Sequence, residues 1–455
     1  MGGPRPAGAA ATALGVDPNT YAVPPRDAEW LGTSDPLVKL KYQLADAMHA
    51  KLGEHQFWVP FEMRPQVESD IRDMVEEAAV EYSPAEREQL FEDVKAEVLG
   101  FGAINNLLMD DSISEVMVNG PFQIYIERKG KLVVSGMQFR NDEDAARVVH
   151  RIVIPLGRRI DKKTPLVDAR LPDGSRVNAV IMPCAIDGTS ITIRKFSKKK
   201  LQIEDLIKFG SITPSGAEFL KACVEARLNT VVSGGTGSGK TTLLNVLSSF
   251  IPEDERVVTI EDSAELQLMQ PHHLRLETKP ADPDGTGRIA IRDLVINALR
   301  MRPERVIVGE CRGGEALDML QAMNTGHDGS MTTLHANSPR DAIARMETMV
   351  LMAGMDLPLK VVRSQVSSAI ELIVQASRLK DGSRKITHIT EVQGMEGDVV
   401  VLQDVFVFKE EGMTPEGKVI GQMRPMGIRP KFISKLEAKG IHLGPEVFME
   451  NFGRR

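Results

Sequence analysis

Gly234-Gly235-Thr236-Gly237-Ser238-Gly239-Lys240-Thr241 has the residue types and spacing of a phosphate-binding loop. Glycines free the backbone to aim several amide N–H groups into one concavity, which suits a β-phosphate. Lys240 supplies a mobile charge for the β- and γ-phosphates, and Thr241, with Thr242 beside it, offers a hydroxyl to Mg²⁺. A chance match in a flexible loop would lack the surroundings seen here. The apolar run NTVVS precedes the loop and the helical text TTLLNVLSS follows it.

Two further strand-like runs end in carboxylates. RVVTI leads into Glu261 and Asp262, with Glu265 after them, and ERVIVGE ends in Gly309-Glu310. A carboxylate at the C-terminal edge of a strand beside the P-loop strand can orient an attacking water or reach the metal shell. An acidic helix start would give the same text around Glu261. The metal-side acid of P-loop proteins is usually Asp; Glu310 is one methylene longer, which points away from small GTPases and most kinases. Either Glu261 or Glu310 is then the base that activates water. Cys311 reads as a packed small side chain, since no local partner marks it as a nucleophile.

The segment TGHDGSMTTLHANS places His327 and His335 about one strand apart, without a metal-ligand spacing. His335 reads either as a satisfied core histidine or as a group reporting the γ-phosphate, if its strand ends at the phosphate pocket. Arg170, Arg176 and Arg194 sit on or beside strands around the turn Pro172-Asp173-Gly174. Their planar forks suit phosphate oxygens; solvent-exposed strand arginines are the plain alternative.

These residues need elements to hold them. The chain has 455 residues, 42% of them hydrophobic and 26% charged, which is globular composition long enough for two to four domains at roughly 100–200 residues each. Residues 1–34 are rich in Gly, Ala and Pro and read as a disordered tail. Residues 35–100 turn helical, most clearly at Ser83-Pro84-Ala85-Glu86, where Ser caps, Pro fits the first turn and Glu closes a capping box. Residues 101–197 carry short strand-like runs interrupted by helical text from Asp142 to Gly157, the mark of an α+β domain on an antiparallel sheet. Residues 198–212, starting at Lys198-Lys199-Lys200, read as a solvated linker. From residue 213 to 455, apolar runs alternate with helices, as in a parallel sheet covered on both faces, and hairpin-like text closes the chain.

The charge balance excludes some functions. Lys and Arg number 56 against 63 Asp and Glu, a net charge of −7, which argues against a dedicated nucleic-acid binder. Three scattered cysteines, Cys184, Cys223 and Cys311, build neither a disulfide framework nor a four-thiolate zinc site, and fit a reducing cytoplasm. No run is long enough to span a membrane, and no signal peptide or lipidation signal is read at the start.

Across roughly residues 100–400 the chain resembles the secretion ATPase superfamily of type II secretion, type IV pili and type IV secretion. It is most similar to the CpaF-type ATPases of tight-adherence (Flp) pili. The resemblance rests on four ordered motifs: GGTGSGKT, the acidic box TIEDSAEL, the atypical Walker B in RMRPERVIVGECRGGEALDML, and the histidine box TGHDGSMTTLHANS. It implies an α/β fold, with a RecA-like P-loop ATPase domain preceded by an α+β (PAS-like) domain and a helical N-terminal region. By family pattern Gly235 to Thr242 hold ATP, and Thr241 and Glu310 hold Mg²⁺. Lys240, Glu261, Glu310 and His335 carry the chemistry, and Arg170, Arg176 and Arg194 reach the nucleotide from the preceding domain. The resemblance further implies a homohexamer at the cytoplasmic face of the inner membrane, driving a platform protein without nucleic acid. The type IV secretion branch, which also lacks the zinc module, is the near alternative, and a RecA-like nucleic-acid translocase a more distant one.

Overall fold

The computed structural model describes residues 35–128, 130–196, 200–281 and 285–449. The expected tail at 1–34 lies outside the described residues. The chain divides near residue 198 into two compact units.

The first unit opens with helices Pro36–Leu52, Arg64–Ala78 and Pro84–Val98. Asp35 caps the first by accepting from the Leu37 amide at 2.9 Å. Ser83 and Glu86 form the reciprocal capping box at the third, with Pro84 in its first turn. Met48, Ile71, Val94 and Val98 bury a common core between the helices. Strands follow: β1 Ile113–Asn119, β2 Ile124–Arg128, β3 Lys131–Val134, β4 Leu166–Arg170, β5 Arg176–Val180 and β6 Ser190–Arg194. They make one six-stranded sheet in the order β3-β2-β1-β6-β5-β4, antiparallel throughout. Helix Asp142–Val153, capped by Asn141, lays Val148, Val149 and Ile152 onto the inward residues of that sheet.

Residues 200–212, expected as a linker, belong instead to the second unit. They hold the helix Ile203–Lys208, and Leu206 and Ile212 are buried in that unit's core. Its strands are β7 Thr230–Gly234, β8 Val257–Glu261, β9 His273–Glu277, β10 Arg305–Val308, β11 Met331–Leu334, β12 Leu372–Arg378, β13 Arg384–Glu396, β14 Val399–Met413 and β15 Val419–Pro425. The nine-stranded sheet runs β15-β14-β13-β12-β7-β11-β10-β8-β9. The part from β12 to β9 is parallel, and β12 to β15 extend it as antiparallel hairpins.

Every residue of β7, β8, β10 and β11 is buried, as continuous apolar runs covered on two faces require. Alternate side chains serve opposite cores. Val232 and Ile307 face a core with helices Pro214–Glu225 and Lys240–Ser248. Val231, Val306 and Val308 face a core with helices Glu315–Asn324, Pro339–Leu351 and Leu359–Ala369. This is the α/β, RecA-like core. Among the described residues no helix is long and apolar enough to cross a membrane.

Candidate functional site

The P-loop turns out of β7 into helix Lys240–Ser248, so the first-turn amides of that helix face the end of the sheet. Gly237 and Gly239 take φ of 70° and 94°, the left-handed region that other residues enter at a cost. At Gly234 a β-carbon would meet the Ala376 carbonyl oxygen at 2.4 Å, so the loop leaves the strand pressed against β12. Ser238 Oγ donates to the Gly235 carbonyl at 2.9 Å and tightens the turn. Lys240 Nζ donates to the same carbonyl at 3.1 Å.

From Lys240 the polar contacts run across the sheet edge. Its Nζ stands 3.4 Å from both ring nitrogens of His335, and His335 Nε2 stands 2.9 Å from Glu310 Oε1. His335 follows β11, the neighbour of β7, and Glu310 follows β10, the next strand over. Parallel strands end at one edge, which brings residues 70 and 95 positions away from Lys240 to one place. His327 precedes β11 and therefore lies at the opposite edge. Burial and the Lys240 ammonium lower the His335 pKa, so the ring is neutral at neutral pH. Burial also lowers the Lys240 pKa, against the attraction of Glu310.

Glu261 is placed differently. Its strand β8 is not beside β7, as the sequence had suggested; β11 and β10 stand between them. The carboxylate is buried and accepts the backbone amides of Glu265 at 2.9 Å and Leu266 at 3.1 Å, fixing the loop after β8. Burial pushes its pKa up to about 7 despite those amide bonds. Among the described contacts it reaches neither Lys240 nor His335. Cys311 is buried as expected, with its thiol pushed up to about 12 by burial.

The donor set fits a P-loop divalent ion. Thr241 lies in the first helical turn beside the glycine cradle, and Glu310 approaches the same edge with one carboxylate. No group of three His, Cys, Asp or Glu side chains that could hold a metal by themselves exists among the described residues. A Mg²⁺ ion would therefore depend on phosphate oxygens and water for most of its shell.

Sequence reasoning missed one wall of the site. The β12–β13 hairpin crosses the P-loop, with Arg384 Nε donating to the Gly237 carbonyl at 3.0 Å. Beside it opens a cavity of about 310 Å³ lined by Leu201, Leu206, Phe209, Ser238, Thr242 and Arg384 among others. Leu201, Leu206 and Phe209 come from the segment expected as a linker, and Leu243, Ala376 and Ile386 complete the apolar lining. The Gly382 turn between two strand-like runs was the available signal.

Arg170, Arg176 and Arg194 lie in the first unit. Arg170 pairs in register with Arg176, and Arg176 with Arg194, on three neighbouring strands, so the three side chains share one face of the sheet. Glu115 of β1 continues the row beyond Arg194.

The family model described as Type II/IV secretion system protein matches residues 97–409. A putative conjugal transfer protein of Mycobacterium tuberculosis is 35% identical over 312 residues, covering 67% of this chain and 88% of that protein. The type IV secretion system protein VirB11 of Bartonella henselae is 32% identical over 328 residues, covering 63% and 90%. Among solved structures, the VirB11 ATPase of the Brucella suis type IV secretion system, in complex with sulphate, is 30% identical, with coverage of 63% and 94% and a TM-score of 0.34. The chain belongs to the Type II/IV secretion system protein family.

Proposed function

We propose that this chain hydrolyses ATP to drive a secretion or pilus machine at the cytoplasmic face of the inner membrane, as a homohexamer acting on platform proteins. The observation that carries the ATPase reading is the line from Lys240 through His335 to Glu310 at the mouth of a glycine cradle. Lys240 binds phosphate oxygens, and the helix amides share the negative charge. Glu310 takes a proton from the attacking water, while neutral His335, with one donor and one acceptor nitrogen, reports the γ-phosphate to Glu310. Bound Mg²⁺ supplies charge neutralisation of the phosphates, with Thr241 and Glu310 as its protein ligands. The cavity beside Arg384 takes the nucleoside, whose base needs apolar walls. The row Arg170, Arg176 and Arg194 supplies further cations to the triphosphate, from this copy or a neighbouring one. Such contacts, made to ATP and lost with ADP, give the differential affinity that a mechanical cycle requires.

Purified protein is expected to hydrolyse ATP with no stimulation by DNA, and Lys240→Ala to abolish turnover. Retained turnover in that variant, or strong DNA stimulation, sinks this reading.

We assign the machine to a tight-adherence pilus, on the motif resemblance and on the helical module that precedes the family-matched region. The conjugal transfer and VirB11 relatives favour a second reading, a type IV secretion or conjugal traffic ATPase. Deletion of the gene separates the two: loss of surface pili supports the first, and loss of conjugation with pili intact supports the second.

A further inference from the structure

Glu310 is held at one oxygen. Arg312 donates to Oε2 through Nε at 2.9 Å and Nη2 at 2.6 Å, while Oε1, 2.9 Å from His335 Nε2, is buried without a hydrogen bond. The third nitrogen of the same guanidinium, Nη1, stands 3.5 Å from Asp262 Oδ2. Arg312 thus spans two carboxylates at the tips of the paired strands β10 and β8. Its backbone is fixed, because the amides of Arg312 and Gly313 both donate to Glu315 Oε1, at 2.6 and 2.8 Å. Its side chain faces solvent, 65% exposed against 18% for Glu310. A firmly based, solvent-facing guanidinium between two acids has two seats, and moving from one to the other keeps the guanidinium paired.

We propose that Arg312 is a positioning residue that parks the Glu310 carboxylate when no chemistry is under way and releases it by shifting fully onto Asp262. The inference rests on the ATPase reading above. The two charge-assisted N–H bonds occupy Oε2 and hold the carboxylate toward Arg312, so release frees it to turn to the water before the chemical step. Asp262 makes release easy, since Arg312 keeps an ionic partner throughout.

Two substitutions then act in opposite directions. Arg312→Ala removes the restraint and raises kcat, while Asp262→Asn removes the second seat and lowers it. Both residues are solvent-facing, so neither change threatens the fold.

The test uses the purified full chain and measures kcat, KM for ATP, and affinity for a fluorescent ADP analogue without Mg²⁺. Arg312→Ala is expected to raise kcat roughly five-fold or more, with KM and ADP affinity unchanged. Arg312→Lys, which keeps the charge but loses the fork, falls between it and wild type. Asp262→Asn lowers kcat in the wild-type background and changes nothing in the Arg312→Ala background. A fall in kcat on Arg312→Ala, weaker ADP binding, or an Asp262→Asn effect that persists without Arg312 overturns the proposal. Turnover absent from both wild type and Arg312→Ala removes the ATPase reading itself. Turnover present in wild type and unmoved by any of these changes removes only the role of Arg312.

Discussion

A β-carbon at Gly309 would stand 2.7 Å from Cγ of Glu261. The two candidate bases are therefore linked through packing: the buried Glu261 side chain fills the space that any other residue before Glu310 would claim. Thr333 Oγ1 also donates to the Gly309 carbonyl at 2.7 Å, tying the same peptide to β11. The glycine that sets this Walker B text apart has a steric reason.

Gly309→Ala should accordingly displace Glu261 or the Glu310 loop. Overpacking of this kind costs about 1–3 kcal/mol. Urea denaturation checks the cost, and ATP turnover should fall with it. Unchanged stability would mean that Glu261 moves aside freely, contrary to the two backbone amides that fix it.

The two glutamates should separate in assays of nucleotide binding and turnover. Glu310→Gln is expected to keep nucleotide affinity and to lose roughly 10²–10⁴ in kcat, the usual weight of a general base. Glu261→Gln replaces an acceptor by a donor against a backbone amide, so its main effect is on stability, of about 1–3 kcal/mol. A larger kcat loss for Glu261→Gln than for Glu310→Gln would reverse the assignment.

Much of this arrangement is readable from the sequence, because the P-loop, Glu310 and His335 each follow a short strand that is buried throughout and carries no charged residue but Arg305. What the text does not contain is strand order. Glu261 looks adjacent to the P-loop because RVVTI is the next strand in the chain, yet β11 and β10 insert between them in space. Arg384 lies 147 residues from Gly237 and meets it only because β12 pairs with β7 and turns back as β13. Leu206 and Ile212 looked like linker because a six-residue helix is too short to show periodicity.

Glu261 also predicts a pH dependence. Its folded-state pKa is raised from 4.5 to about 7, so between those values the folded chain holds a proton that the unfolded chain has lost. The stability from this group is fully present below pH 4.5 and lost as pH rises through about 7. Melting temperatures of wild type should therefore fall more steeply over that window than those of Glu261→Gln, with parallel curves at higher pH. Parallel curves across the whole range would show that Glu261 stays ionised in the fold.

The in-register arginines predict a split between stability and activity. Arg194 is solvent-exposed at the end of the row, so Arg194→Ala should change the unfolding free energy by no more than about 0.5 kcal/mol. If the row serves a triphosphate, the same change should lower turnover by about 10³. Wild-type turnover in Arg194→Ala would confine the phosphate role to the other two or remove it.

Arg384 is placed to serve binding rather than chemistry. Its guanidinium braces the P-loop through the Gly237 carbonyl and forms one wall of the neighbouring cavity, whereas its contacts do not include Glu310 or His335. If the cavity takes the nucleoside, a group so placed acts equally on bound ATP and ADP, because neither the loop carbonyl nor the cavity then meets the γ-phosphate. Arg384→Ala is therefore expected to raise the dissociation constants for both nucleotides by a similar factor, on the order of tenfold for one lost charge-assisted contact. The kcat at saturating ATP should stay near wild type, the signature of uniform binding. Fluorescence titration with both nucleotides, beside steady-state kinetics, decides the matter. A loss restricted to ATP, or a kcat that drops while affinity holds, would move Arg384 from the cradle into the reacting centre.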